Sequence, residues 1–329
     1  MRNSRADFYK GLLMIGVVWG HLITCFLHGE TNNIGIHWIM RTYDMPFFMV
    51  ISGYFMSNSV QKYSLNILLL NKITTLLLPT IIWSFFLVMF QKINFNSYYF
   101  LYAVFWSSCI VAITDKLVKN KIFRLIIYSV IALSFYFIDM PLANLSYLFP
   151  FYIMGHYGYM MGDYRKIMFL MLPVFIFLLC FWSIEYTIWE AGDYLPGGGW
   201  KLFRIILFRL LIALVGIITI KNIFDIIYDY QVDSKLRSFI IKIGTETLGI
   251  YLLHVFIIRY IIRYMVNESI NIYGMNVISI NDSLLGYFIT PIFSLLLCGF
   301  CYVVIKQTKR NKYIRCIWGG KLSDFSKTN

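Results

Sequence analysis

The sequence predicts an all-α integral membrane protein of about ten transmembrane helices, with both termini in the cytoplasm. Three observations predict it. The 329-residue chain is 59% hydrophobic and only 14% charged, with a mean hydropathy of +0.69; a soluble domain of this length is about half apolar and a quarter charged. Its apolar residues form continuous runs that approach the ~20 residues needed to cross ~30 Å of hydrocarbon. They do not form the alternating ~10-residue strands of a membrane barrel. Finally, the cations are placed very unevenly around those runs.

The runs fall at 11–28, 34–56, 73–91, 99–114, 122–138, 143–161, 167–184, 202–220, 244–264 and 284–306. The first follows a short basic segment (Arg2, Arg5, Lys10) and has no small-x-small cleavage site, so it is expected to stay as a helix. In the second, Pro46 removes a backbone donor and is expected to break the hydrogen-bond ladder just beyond Asp44. The third starts at the basic Lys72 and meets Pro79. The fourth to sixth are shorter. The Gly/Pro-rich "GDYLPGGGWK" at 192–201 reads as a loop before the eighth. In the ninth, "GTETLGIYLLHVFII", Gly244 and Thr245 read as a helix start, with Glu246 suited to the positive end of the helix dipole. A basic tail, 307–329, follows the tenth. No internal repeat is visible, and 1–329 reads as one domain.

With the N-terminus inside, cytoplasmic segments carry 21 of the 29 lysines and arginines, and outer loops only Lys92 and Lys201. This is a strong positive-inside signal. It also accounts for the net charge of +13. The cations are dispersed over many short loops, which argues against nucleic acid as a partner. The lipid bilayer is the expected one, and residue use rich in Ile, Lys, Asn, Phe and Tyr fits a bacterial inner (cytoplasmic) membrane.

Ionisable side chains inside a membrane helix cost roughly 2.5–3.5 kcal/mol each, so those present are functional candidates. Lys10 and His21 are eleven positions apart. They lie on one helix face, about 16 Å apart along the axis. Gly16 and Gly20 give the same helix a GxxxG for a close neighbour. Arg41 and Asp44 stand one turn apart, either as a functional pair or as a self-neutralising one that permits insertion. Lys72, at a cytoplasmic boundary, suits a phosphate or a lipid headgroup. Tyr251 and His254 share a face in the ninth run. His28, His37 and His156 are weaker candidates. The six cysteines show no metal-ligand spacing, and no metal is expected.

Four stretches in this order resemble the membrane-bound acyltransferase 3 family, in its branch of sugar and polysaccharide O-acetylases. They are Lys10 with His21; Met45, Pro46, Phe47 and Phe48 leading to Ile51, Ser52, Gly53 and Tyr54; Lys72, Leu78, Pro79, Trp83 and Ser84; and Gly244, Thr247, Leu248, Ile250, Tyr251, Leu252 and His254. The chain departs from the family's pattern in having Tyr43-Asp44 where many relatives have Phe-His. It also keeps only the first basic residue, Lys72, of an Arg-x-x-Arg. Some relatives carry a fused extracytoplasmic esterase-like domain, for which the stretch after the tenth run is too short.

The resemblance implies transfer of an acyl group, most often acetyl, from cytoplasmic acyl-CoA to a sugar hydroxyl of a lipid-linked or cell-surface polysaccharide. Acyl-CoA is then a co-substrate, with no bound cofactor. His21 would serve as base or acyl carrier, since imidazole suits taking a hydroxyl proton near neutral pH. Asp44 would orient it, Lys10 and Lys72 would hold donor phosphate, and Arg41, Tyr251 and His254 would support. The rival class is a multipass transporter or flippase for a glycan or small metabolite. It also explains intramembrane charge, but the chain lacks the internal repeat common in such folds.

Overall fold

The computed structural model describes residues 3–26, 35–91, 98–135, 144–158, 162–182, 199–230, 234–258, 284–311 and 314–320, and these are helical throughout apart from short turns. The helices are α1 (Ser4–Phe26), α2 (Gly35–Lys62), α3 (Leu65–Lys72), α4 (Leu78–Gln91), α5 (Tyr99–Leu117), α6 (Lys121–Ser134), α7 (Asn144–His156), α8 (Arg165–Leu179), α9 (Gly199–Asp229), α10 (Ser234–Thr245), α11 (Thr247–Phe256) and α12 (Leu284–Thr308), followed by a 3-10 turn at Ile314–Trp318. All ten predicted runs are mainly helical wherever they are described, with turn or irregular residues at 157–158, 180–182 and Glu246.

Among the described residues, four helical stretches are long and apolar enough to cross a membrane: Leu65–Phe90, Tyr99–Leu117, Phe203–Asp229 and Ile289–Thr308. A fifth is the pair α10 and α11, if that pair, bent by 78°, is one broken span. By contrast α6, α7 and α8, at 14, 13 and 15 described residues, each rise only about 20 Å.

Local chemistry explains three departures from the expected boundaries. Pro46 does not break α2, which runs on to Lys62. It removes one donor, that for the Thr42 carbonyl four residues back; the hydroxyl of Tyr147 donates to that carbonyl instead, at 3.5 Å. Pro79 likewise supplies no N–H, and just before it the helix widens into a π-turn, Ile73–Leu77, with the Leu78 N–H reaching the Ile73 carbonyl. Gly244-Thr245 is the end of a helix rather than a start. The basic α10 stops at Thr245, and α11 begins afresh after Glu246.

The chain divides into two compact units. Unit 1 comprises Met1–Met40, Pro79–Ser97 and Ile227–Gly320. Here α1 packs mainly on α10 and α12, and α11 on α12. The α1–α10 crossing is made by two glycines. A Cβ on Gly11 would collide with the backbone of Ile240, and one on Gly244 with the carbonyl of Asp7. Gly16, from the expected GxxxG, meets only the Met40 sulfur at an ordinary 3.5 Å. The tight approach therefore sits five residues earlier, at Gly11. Trp19 Nε1 donates to Thr290 Oγ1 at 2.8 Å, tying α1 to α12. Trp83 on α4 donates to the Ile317 carbonyl at 3.0 Å and packs on Trp318 and Phe256, anchoring the 3-10 turn.

Unit 2 comprises Arg41–Leu78, Tyr98–Ile226 and Lys321–Asn329. In it α5 packs on α3 and α7, and α6 on α7. A second reciprocal glycine crossing joins α2 to α7: Gly53 abuts the Tyr152 carbonyl and the His156 N–H, and Gly155 abuts the Val50 backbone. Gly53 belongs to the Ile-Ser-Gly-Tyr run, so that motif is in part a packing device.

Candidate active site

In unit 1, α1 brings His21 and α11 brings His254 together, with ring centroids 5.3 Å apart. His254 is completely buried, while His21 keeps partial exposure. The Nδ1 of His254 lies 2.8 Å from the Ile250 carbonyl, one turn back on its own helix. A carbonyl only accepts, so Nδ1 carries the proton and the lone pair of the neutral ring is on Nε2. Tyr251 packs edge-on to the same ring, 5.5 Å between centroids. The late helix motif thus supplies a histidine of fixed tautomer and an aromatic wall beside His21.

Lys10 stands on α1 three turns before His21. Its Nζ bonds Asp7 Oδ1 at 2.6 Å, and Asp7 is 2% exposed. Sequence reading missed Asp7. The available signal was its place in the first turn of a helix, where a carboxylate suits the dipole, three residues before a lysine. At the α10–α11 bend, Glu246 is ion-paired with Lys309 at 2.5 Å. Its carboxylate is therefore committed to the segment following α12.

The remaining candidates lie in unit 2. Asp44, expected to orient His21, has as its charged neighbours Arg41 on its own helix and Arg209 on α9. Its Oδ1 also accepts the Met45 N–H at 2.6 Å. Arg209 is 4% exposed, with its guanidinium carbon 4.1 Å above the ring of Tyr147. Sequence reading did not single it out. Lys72 closes α3 directly before the π-turn, partly buried. It is near enough to Cys109 on α5 for its charge to be felt there.

Unit 2 also holds a polar lock of its own. Asp115 on α5 accepts from His156 Nε2 at 2.7 Å, Tyr128 at 2.7 Å and Arg124 at 3.2 Å. Arg124 further donates to the Val118 carbonyl at 2.5 Å, closing the C-terminus of α5. His156 was a weak candidate by sequence, and this arrangement accounts for its burial. Among the described residues no group of three or more His, Cys, Asp or Glu is placed to hold a metal ion. His28 and the side chain of His37 lie outside the described residues.

Residues 3–303 match a family described as Acyltransferase domain. Two curated relatives bear the name Nodulation protein NolL. The one from Mesorhizobium japonicum is 26% identical over 176 residues, 47% of each chain. The one from Sinorhizobium fredii is 33% identical over 85 residues, 25% of this chain and 23% of that one. The chain thus spans about half, or less, of the length of the curated relatives it matches. No solved structure matches it.

Proposed function

This chain belongs to the membrane-embedded acyltransferase family, and from that we propose that it moves an acyl group, most simply acetyl, from cytoplasmic acyl-CoA to a sugar hydroxyl of a lipid-linked or cell-surface polysaccharide. The observation that carries the reading is the His21–His254 pair, 5.3 Å between rings, with His21 on the helix that also carries Lys10. A sugar hydroxyl is a weak nucleophile at neutral pH and needs a base. His21, the more exposed ring, takes the hydroxyl proton; the oxygen attacks the thioester carbonyl; the carbon–sulfur bond breaks; and the thiolate leaves with the proton. The variant route, in which His21 first carries the acyl group, uses the same residues. His254, with Nδ1 committed to Ile250, offers Nε2 chemistry in a fixed orientation.

In this reading the chain crosses a bacterial inner membrane about ten times with both termini inside, as its 21 cytoplasmic cations favour. Lys10 and Lys72 then stand in the cytoplasmic parts of their helices, on the side from which CoA phosphates approach. Label transfer tests the proposal. Membranes holding the wild-type chain or His21→Ala are incubated with radiolabelled acetyl-CoA, and glycolipid and polysaccharide are extracted. Label in glycan from the wild type only supports it. Equal label with both proteins removes His21 from the chemistry. No label with acetyl-CoA or succinyl-CoA returns the transporter reading.

A further inference from the structure

Arg209 is a buried cation, and its charged neighbours Arg41 and Asp44 are only partly buried. Around Arg209, Arg41 and Asp44, the described residues offer two guanidiniums and one carboxylate. Arg209 is 4% exposed and sits within the apolar stretch Phe203–Asp229. Its surroundings include the ring of Tyr147 at 4.1 Å, and Tyr99. Its buried Nε has no hydrogen-bond partner among the described residues. A cation taken out of water costs several kcal/mol unless paired, and a guanidinium is a rigid fork matched to planar or tetrahedral oxyanions. A buried arginine over a tyrosine face, with a second arginine as neighbour, forms a place for an anionic group attached to a ring-bearing molecule.

We propose that Arg209, with Arg41, binds an anionic group, phosphate or carboxylate, on the sugar acceptor, with Tyr147 and Tyr99 lining the adjoining ring site. This rests on the acyltransferase reading and names its acceptor class: a sugar that is itself charged or is linked through phosphate. Asp44 then holds the two guanidiniums apart and keeps the empty site from carrying the full double charge. In the orientation proposed above, Arg41 and Arg209 both stand near the outer ends of their helices. That is the side from which an exported acceptor would enter, opposite to acyl-CoA.

Binding to the purified full-length protein in detergent tests this without requiring turnover. The probes are glucose 1-phosphate, glucuronate and neutral methyl glucoside, each titrated with coenzyme A saturating so that the donor's phosphate sites are filled. The expected result is binding of one or both anions and none of the glycoside. Arg209→Gln weakens it at least about tenfold, Arg209→Lys less, and Arg41→Gln weakens it independently, while all three variants keep coenzyme A affinity. Binding of glucose 1-phosphate alone assigns the anion to a phosphate linkage, and of glucuronate alone to an acidic sugar. Equal binding of methyl glucoside, loss of anion binding when coenzyme A is added, no anion binding at all, or wild-type affinity in Arg209→Gln would overturn the proposal. A wild-type protein that binds the anions but transfers no label would sink the acyltransferase reading and leave this site standing.

Discussion

The ring of His254 lies 5.3 Å from that of His21, and its proton position is set by the Ile250 carbonyl on its own helix. The buried histidine is therefore held and the more exposed one is left to work. The two substitutions should differ. His21→Ala is expected to lower kcat about 10²–10⁴-fold, the usual contribution of a general base. His254→Ala is expected to cost less, about 10–100-fold, with little change in KM for acyl-CoA. Steady-state kinetics on both variants check this, and a larger loss at His254 would exchange their roles.

The pairing of Lys10 with the buried Asp7 separates stability from chemistry. Lys10→Gln strands a carboxylate that is 2% exposed, and removing one partner of a buried pair costs about 3–5 kcal/mol. The double variant Asp7→Asn, Lys10→Gln should recover most of that stability. If Lys10 holds donor phosphate, it should still show a raised KM for acyl-CoA. Thermal unfolding together with kinetics measures the two effects apart. Full recovery of KM in the double variant would reduce Lys10 to a structural partner.

The two reciprocal glycine crossings make a sharper stability prediction. Gly11→Ala and Gly244→Ala in unit 1, and Gly53→Ala and Gly155→Ala in unit 2, each push a methyl group into a neighbouring backbone. Backbone cannot rotate away as a side chain can, so each should destabilise by about 1–3 kcal/mol or more. Gly16→Ala is the internal control: its methyl group meets one sulfur at 3.5 Å, and the helix gains about 0.5–1 kcal/mol of propensity. Thermal unfolding of the five proteins in one detergent reads the difference.

These glycines also show where sequence reading reached its limit. The apolar runs, the cation asymmetry and the Lys10–His21 spacing are one-dimensional, and every run they predicted is mainly helix where described. Gly11 and Gly244 sit 233 positions apart, so no local pattern marks their contact, whereas Gly16 of the conspicuous GxxxG meets only the Met40 sulfur at an ordinary distance. The π-turn at Ile73–Leu77 is a response to Pro79, and a proline marks a disturbance without saying whether the helix will break, bend or widen. Asp44 illustrates the same limit: its neighbour Arg41 is one turn away in sequence, while Arg209 reaches it only through tertiary packing.

The carboxylate of Asp115 serves three donors at once, His156, Tyr128 and Arg124, across α5, α6 and α7. Its side chain is 5% exposed, so water cannot replace it. Asp115→Ala removes the acceptor of all three and leaves the Arg124 charge with only carbonyl partners at the end of α5. The expected loss is about 3–5 kcal/mol, as for other broken buried pairs. Tyr128→Phe deletes one neutral donor to the same carboxylate and should cost only about 1–2 kcal/mol. His156→Gln should fall between them. If the cluster is a structural lock, the folded fraction of His156→Gln should retain wild-type kcat. A folded His156→Gln that has lost acyl transfer would instead place this histidine in the reaction.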